Sequence, residues 1–216
     1  MDTDNIMKIN YGAIFLKDLT TGESVQADFI EDVNSELIAA TEELWGPKSA
    51  RLRAEALARG IPEEDLPLDH EHWDWRKKIK LAKPGSRFLG VSWEKQVQGL
   101  MKITPGGPCR LQEQSGQALV YIDYIEIAPW NLPVLAEFPR FRRIGSYFIE
   151  AAIEISHENG CDGRIGLHSL KKAEGFYESC GMRNCGMEKL GYSLKGLEYS
   201  YFEMTPIQAR SFVEGY

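Results

Sequence analysis

The stretch from Leu119 to Leu167 constrains the fold more than any other. From Leu119 to Ile127 the chain alternates, with Val120, Ile122 and Tyr124 on one face and Tyr121 and Ile125 on the other. That period of two predicts a strand, and Pro129 stops it. From Ser146 to Asn159 the period changes. Phe148, Ile149, Ala152, Ile153 and Ile155 recur at helical spacing, while Glu150, Glu154 and His157 face water and Gly160 supplies the stop. Arg164 to Leu167 reads as a strand again. A chain that switches from strand to helix and back buries its apolar faces by laying helices on a sheet, so a mixed α/β architecture is expected.

The flanking segments extend this pattern. Tyr11 to Phe29 reads as a hairpin or two short strands, with a turn at Thr21-Gly22. Asn34 or Ser35 caps a helix through Trp45, and Ser49 to Arg59 reads as further helix closed by Gly60 and Pro62. His70 to Lys80 reads as a helix with a basic end, closed by Pro84-Gly85. Phe88 to Trp93 and Val97 to Ile103 are expected strands joined by a tight turn near Lys95. Thr104-Pro105-Gly106-Gly107-Pro108 reads as loop. Lys171 to Ser179 is a short helix ended by Gly181, and Met182 to Met187 and Leu197 to Met204 are closing strands. Thr205-Pro206-Ile207-Gln208 is a capping box with proline at the first helical position.

Composition narrows the class. The 216 residues are 43% hydrophobic and 26% charged, an ordinary globular balance. A net charge of -7 argues against a broad nucleic-acid footprint, which needs a basic field. No apolar run approaches a membrane span, and the start lacks the order of a signal peptide. Cys109, Cys161, Cys180 and Cys185 form no CxxC pair, so free thiols in a reducing cytoplasm are expected.

The chemistry concentrates after the central strand. Arg140-Phe141-Arg142-Arg143-Ile144-Gly145-Ser146 leads into the helix. A helix start offers unpaired N–H groups and a positive dipole end, and Gly145 lets a phosphate approach. Ser146 can cap the helix or bond an oxygen, and the three arginines add charge-assisted contacts. The same residues also suit a solvated basic turn.

The segment resembles the GNAT (GCN5-related) acyltransferase superfamily. Its coenzyme A loop, Gln/Arg-x-x-Gly-x-Gly/Ala, matches at Arg140, Arg143 and Gly145, with arginine in place of the first glycine. Its second signature is similar to the run Ala173-Glu174-Gly175-Phe176-Tyr177-Glu178-Ser179-Cys180-Gly181-Met182. The resemblance covers roughly residues 86 to 204. It implies a GNAT-like mixed, mostly antiparallel sheet flanked by helices, with an extended helical N-terminal part. One domain over 1–216 is expected, with 1–85 on the substrate side, 86–204 as the acetyl-CoA core and 205–216 as a C-terminal helix.

The resemblance also implies direct acetyl transfer from acetyl-CoA to an amine of a small molecule or peptide. Ile125 and Ile127 would pair with the pantetheine. Arg140, Arg142, Arg143, Ile144, Gly145 and Ser146 would hold the pyrophosphate. Tyr177 occupies the general-acid position. For the base, Asp123 and Glu126 sit on opposite faces of the strand, and Glu126 is favoured, with a water chain as the alternative.

Other readings stay open. Arg143 motivates a non-catalytic acyl-CoA-binding module. A dinucleotide site is weaker, because no G-x-G-x-x-G follows the strand. Asp69-His70-Glu71-His72-Trp73-Asp74-Trp75 invites a metal, but its spacing lacks a third ligand and no metal is expected. His168, after its strand, bonds coenzyme A, assists the amine or sits buried. Cys180 with His168 as base gives a ping-pong alternative. The aromatic strand Leu197 to Met204 either pairs across a homodimer or packs in the core.

Overall fold

The structure, a computed structural model, describes residues 12–66, 74–189 and 198–215. In chain order the strands are β1 (Ile14–Asp18), β2 (Ser24–Ile30), β3 (Arg87–Trp93), β4 (Gln96–Pro108), β5 (Ala118–Ile127), β6 (Phe141–Arg142), β7 (Ile165–Ser169), β8 (Arg183–Lys189) and β9 (Glu198–Met204). The helices are α1 (Ser35–Ala58), α2 (Trp75–Lys80), α3 (Ile144–Glu158), α4 (Glu174–Ser179) and α5 (Pro206–Glu214). The strands form one sheet in the order β6-β1-β2-β3-β4-β5-β7-β9-β8. It is mostly antiparallel, and β5 with β7 is a parallel pair. The expected α/β class is what the chain adopts.

By density of contact the chain divides into two compact units, one of residues 10–102 and 124–145, the other built on 103–123 and 146–216. In the first unit α1 is capped by Asn34, whose Oδ1 accepts the Leu37 N–H at 2.8 Å. The helix then runs unbroken for 24 residues with Pro47 inside it, where two separate helices were expected. Proline removes one backbone donor and costs about 3 kcal/mol in a free helix. Burial of Ile38, Thr41, Trp45 and Ala56 on either side of Pro47 offsets that cost. One face joins a core with Val33, Trp75, Phe88, Val97, Leu100 and Ala128. The Trp45 indole donates to the Val97 carbonyl at 3.3 Å. Between β3 and β4, Glu94 and Lys95 both take positive φ (47° and 63°), the two-residue turn that suits the twist of a hairpin.

In the second unit β7 pairs with β9 from Ile165↔Met204 to Ser169↔Ser200. His168 lies within β7 rather than after it. Gly166 is bare for a steric reason. A Cβ there would meet the Tyr201 hydroxyl at 2.8 Å and Leu119 Cδ2 at 3.0 Å. The residues expected as loop, Thr104 to Pro108, continue β4. Gly107 sits so close to β5 that a Cβ would meet Leu119 Cδ1 at 3.2 Å, so that glycine permits strand contact rather than ending it. The capping box of α5 is formed as expected, with Thr205 and Gln208 bonded in both directions.

Candidate active site

In the first unit the site residues gather around β5 and α2. Tyr124 and Glu126 are two residues apart, hence on one face of the strand. Helix α2 is short, and Asp74 caps it by accepting the Lys77 N–H at 2.8 Å. Glu42 on α1 fixes its position. One Glu42 oxygen accepts the Trp75 backbone N–H at 2.5 Å, and the other pairs with Arg76 Nε at 3.1 Å. Trp75 is thereby sunk into the core at 1% exposure, and its indole N–H donates to Glu126 Oε2 at 2.5 Å. One turn along the same helix face, Lys78 Nζ lies 4.2 Å from the centre of the Tyr124 ring.

These placements set two titrations near neutrality. Burial pushes the Glu126 carboxyl up to about 7, although the Trp75 N–H and the Lys78 charge both pull it down. Burial pushes the Lys78 ammonium down to about 8, against the opposing pull of Glu126, Asp74 and Glu42. The sequence offered Glu126 as a base but gave no signal for Lys78, which reads there only as part of a basic helix end. Asp123, the other strand carboxylate, accepts the Thr104 hydroxyl at 2.7 Å.

The basic loop has a definite shape. Strand β6 pairs with β1 through Asp18↔Phe141 and Lys17↔Arg142. The Arg140 guanidinium bonds Asp18 Oδ2 at 3.1 Å and lies 3.9 Å from the centre of the Trp93 ring. Arg142 and Arg143 are exposed. Arg143 holds φ at 72°, the left-handed region where glycine sits without cost. It stands immediately before α3, which starts at Ile144. Gly145 and Ser146 therefore lie in the first turn, and Ser146 is buried inside the helix rather than capping it.

In the second unit Tyr177 is central to α4, at 9% exposure, with Phe176 and Phe202 rings 5.1 and 5.8 Å from its own. Burial pushes its phenol well above the ordinary value, so it holds its proton throughout the neutral range. Cys180 is buried and its thiol is pushed up to about 11. His168 has both ring nitrogens engaged, Nδ1 with the Tyr121 hydroxyl at 2.5 Å and Nε2 with Glu188 Oε2 at 3.0 Å. Neither the buried thiol nor the imidazole, with both nitrogens already bonded, is arranged for the ping-pong alternative in this structure. The parallel ladder of β5 with β7 covers Val120↔Ile165, Tyr121↔Gly166 and Ile122↔Leu167, whereas β5 itself runs on to Ile127.

Of the residue 69–75 cluster, Asp74 and Trp75 serve as helix cap and buried anchor, while Asp69 to Trp73 lie outside the described residues. Leu197 of the expected closing strand also lies outside them. No helix among the described residues is long and apolar enough to cross a membrane.

No protein-family model matches the sequence, and neither does any curated protein. Solved structures do match. The N-acyl amino acid synthase FeeM from uncultured soil microbes aligns over 86% of this chain and 94% of its own, with a TM-score of 0.55 and 12% identity. A GCN5-related N-acetyltransferase from Rhodopseudomonas palustris aligns over 82% and 94%, with a TM-score of 0.53 and 13% identity. NAA60 from Arabidopsis thaliana, solved with acetyl-CoA, aligns over 82% and 97%, with a TM-score of 0.51 and 14% identity. The chain has the fold of the GCN5-related N-acetyltransferases, and the resemblance drawn from the two sequence motifs holds at the level of fold.

Proposed function

We propose that the chain is an acetyl-CoA-dependent N-acetyltransferase acting on an amine by direct transfer. The observation that carries the reading is Glu126, a carboxylate on β5 held by Trp75 and titrating at about 7. A base must accept a proton from an ammonium at working pH, and a group poised near neutrality does this best. Acetyl-CoA supplies the activated acyl group. The chain's own residues do the rest. Ile125 and Ile127 offer backbone groups to the pantetheine and to the developing oxyanion. The start of α3, with Arg142, Arg143, Ile144, Gly145 and Ser146, receives the pyrophosphate, and Arg140 stiffens the approach through Asp18 and Trp93. Glu126 takes the amine proton, and Tyr177, neutral at all working pH, gives one to the departing thiolate. That FeeM is an N-acyl amino acid synthase and that NAA60 was solved with acetyl-CoA support acyl transfer to nitrogen.

The first unit's arrangement around Arg143 favours a second reading. A non-catalytic acyl-CoA-binding module would need the loop but not a poised base. Calorimetric titration with acetyl-CoA, followed by thiol release in the presence of an amine panel, separates the two. Saturable binding with release of coenzyme A only when an amine is present supports the enzyme. Saturable binding with no release under any amine supports the module.

A further inference from the structure

Helix α2 brings a nucleophile to the strand that carries the proposed base. Trp75 and Lys78 are three residues apart and share one helix face. Trp75 reaches Glu126 and Lys78 reaches Tyr124, so the helix face lies along one face of β5. Lys78 Nζ is 4.2 Å from the Tyr124 ring centre and 5.7 Å from that of Trp75. A second cation, Lys102, lies 6.0 Å from the same Tyr124 ring and works against the Lys78 charge. The Lys78 amine is half-buried, whereas Lys77 and Lys80 of the same helix are exposed. Tyr124 and Glu126 flank Ile125, whose backbone is assigned to the acyl group above. Lys78 and Trp75 therefore cover the two strand residues on either side of that position, and the long lysine stem lies on the face of β5 that carries Glu126.

We propose that Lys78 is an internal acyl acceptor, so that the protein acetylates its own α2 when no external amine is present. This rests on the acetyltransferase reading. The neutral Lys78 amine attacks the thioester carbonyl carbon, a C–N bond forms and the C–S bond breaks. Glu126 takes the proton lost by the amine, and the coenzyme A thiolate takes one from water. The products are N-acetyl-Lys78 and free coenzyme A. Burial assists the first step, because an amine titrating at about 8 holds on the order of a hundredfold more neutral form at pH 7 than an ordinary lysine.

The test is incubation of the full chain with acetyl-CoA and no added amine, with peptide mass spectrometry over time. Chemical acetylation favours exposed lysines, so Lys77 and Lys80 are internal controls. The expected result is acetylation of Lys78 at least about tenfold faster than of either neighbour, and slowed roughly a hundredfold in Glu126→Gln. Lys78→Arg keeps the charge and the ring contact but removes the acceptor, and its α2 shows only the slow chemical acetylation of Lys77 and Lys80. Equal rates at Lys77, Lys78 and Lys80 overturn the proposal. So does an unmodified Lys78 in protein that acetylates an external amine, an outcome that leaves the acetyltransferase reading intact. Bound acetyl-CoA with no acetylation of Lys78 or of any amine overturns both in favour of a binding module.

Discussion

Glu126 and Glu203 show two opposite ways of enclosing a carboxylate. Glu203 is fully buried and accepts four donors: the backbone N–H groups of Arg110 (2.7 Å) and Leu111 (3.2 Å), the Gln114 side-chain amide (2.8 Å) and the Tyr201 hydroxyl (2.8 Å). The neighbourhood is layered further, with Arg110 stacked 4.0 Å from the Tyr201 ring centre and paired with Glu188. Glu126 is met by an indole N–H and by Lys78, whose own charge is weakened by burial. Four donors fix the position of the Glu203 carboxylate, whereas burial with modest compensation leaves Glu126 ready to change state. The first arrangement ties strands and a loop together. The second is suited to moving a proton.

The contrast is broken most sharply by removing each carboxylate. Glu203→Ala leaves four donors without their shared acceptor, and urea unfolding should show a loss of about 3–5 kcal/mol. A loss under about 1 kcal/mol would show that the network is ornamental. Glu126→Gln should do the reverse. Amine-dependent thiol release should fall by about a hundredfold or more, with the fold retained. The folded value of Glu126 lies above its unfolded one, so the folded state binds more protons between about 4.5 and 7 and stability falls as pH rises through that window. Glu126→Gln should therefore gain roughly 1–3 kcal/mol over the parent at pH 8 and little at pH 4. Equal effects at both pH values would mean that Glu126 is not strained in its charged form.

Smaller effects sharpen the same comparison. Tyr177→Phe should lower turnover by about tenfold to a hundredfold while binding of acetyl-CoA stays unchanged, because the phenol gives its proton only as the thiolate forms. Unchanged turnover would remove the acid role. Arg143→Gly should raise stability by about 1 kcal/mol, because the residue no longer has to hold a left-handed backbone. Its dissociation constant for acetyl-CoA, read by calorimetry, reports whether the arginine contributes to phosphate binding. A few-fold weakening supports that role, and no change assigns the site to the helix start alone.

Much of the fold was legible because it rests on local periodicity. The hairpin of β1 and β2, the alternation of β5, the spacing of α3 and the box at Thr205 are each written within one element. The departures arise where distant packing overrides a local rule. Pro47 does not break α1, because burial on both sides holds the helix. Pro105 to Pro108 stay in β4, because Gly107 abuts Leu119. The candidate site divides in the same way. Tyr177 and the loop were visible as motifs and Glu126 by its place in a strand. Lys78 was not, because its depressed titration comes from Trp75, Tyr124 and the burial they create, which spacing along the chain does not encode.

The bare Gly166 has a consequence for how this chain can vary. With no side chain on that residue of β7, the Tyr201 hydroxyl passes over the backbone and reaches Glu203. In a saturation library scored for soluble protein, codon 166 should tolerate almost no replacement, alanine included. Gly22 and Gly85, with nothing within 4 Å of a Cβ, have room around them and should show milder, conformation-limited selection. One absent methyl group thus fixes how far the sequence can drift around the Glu203 network.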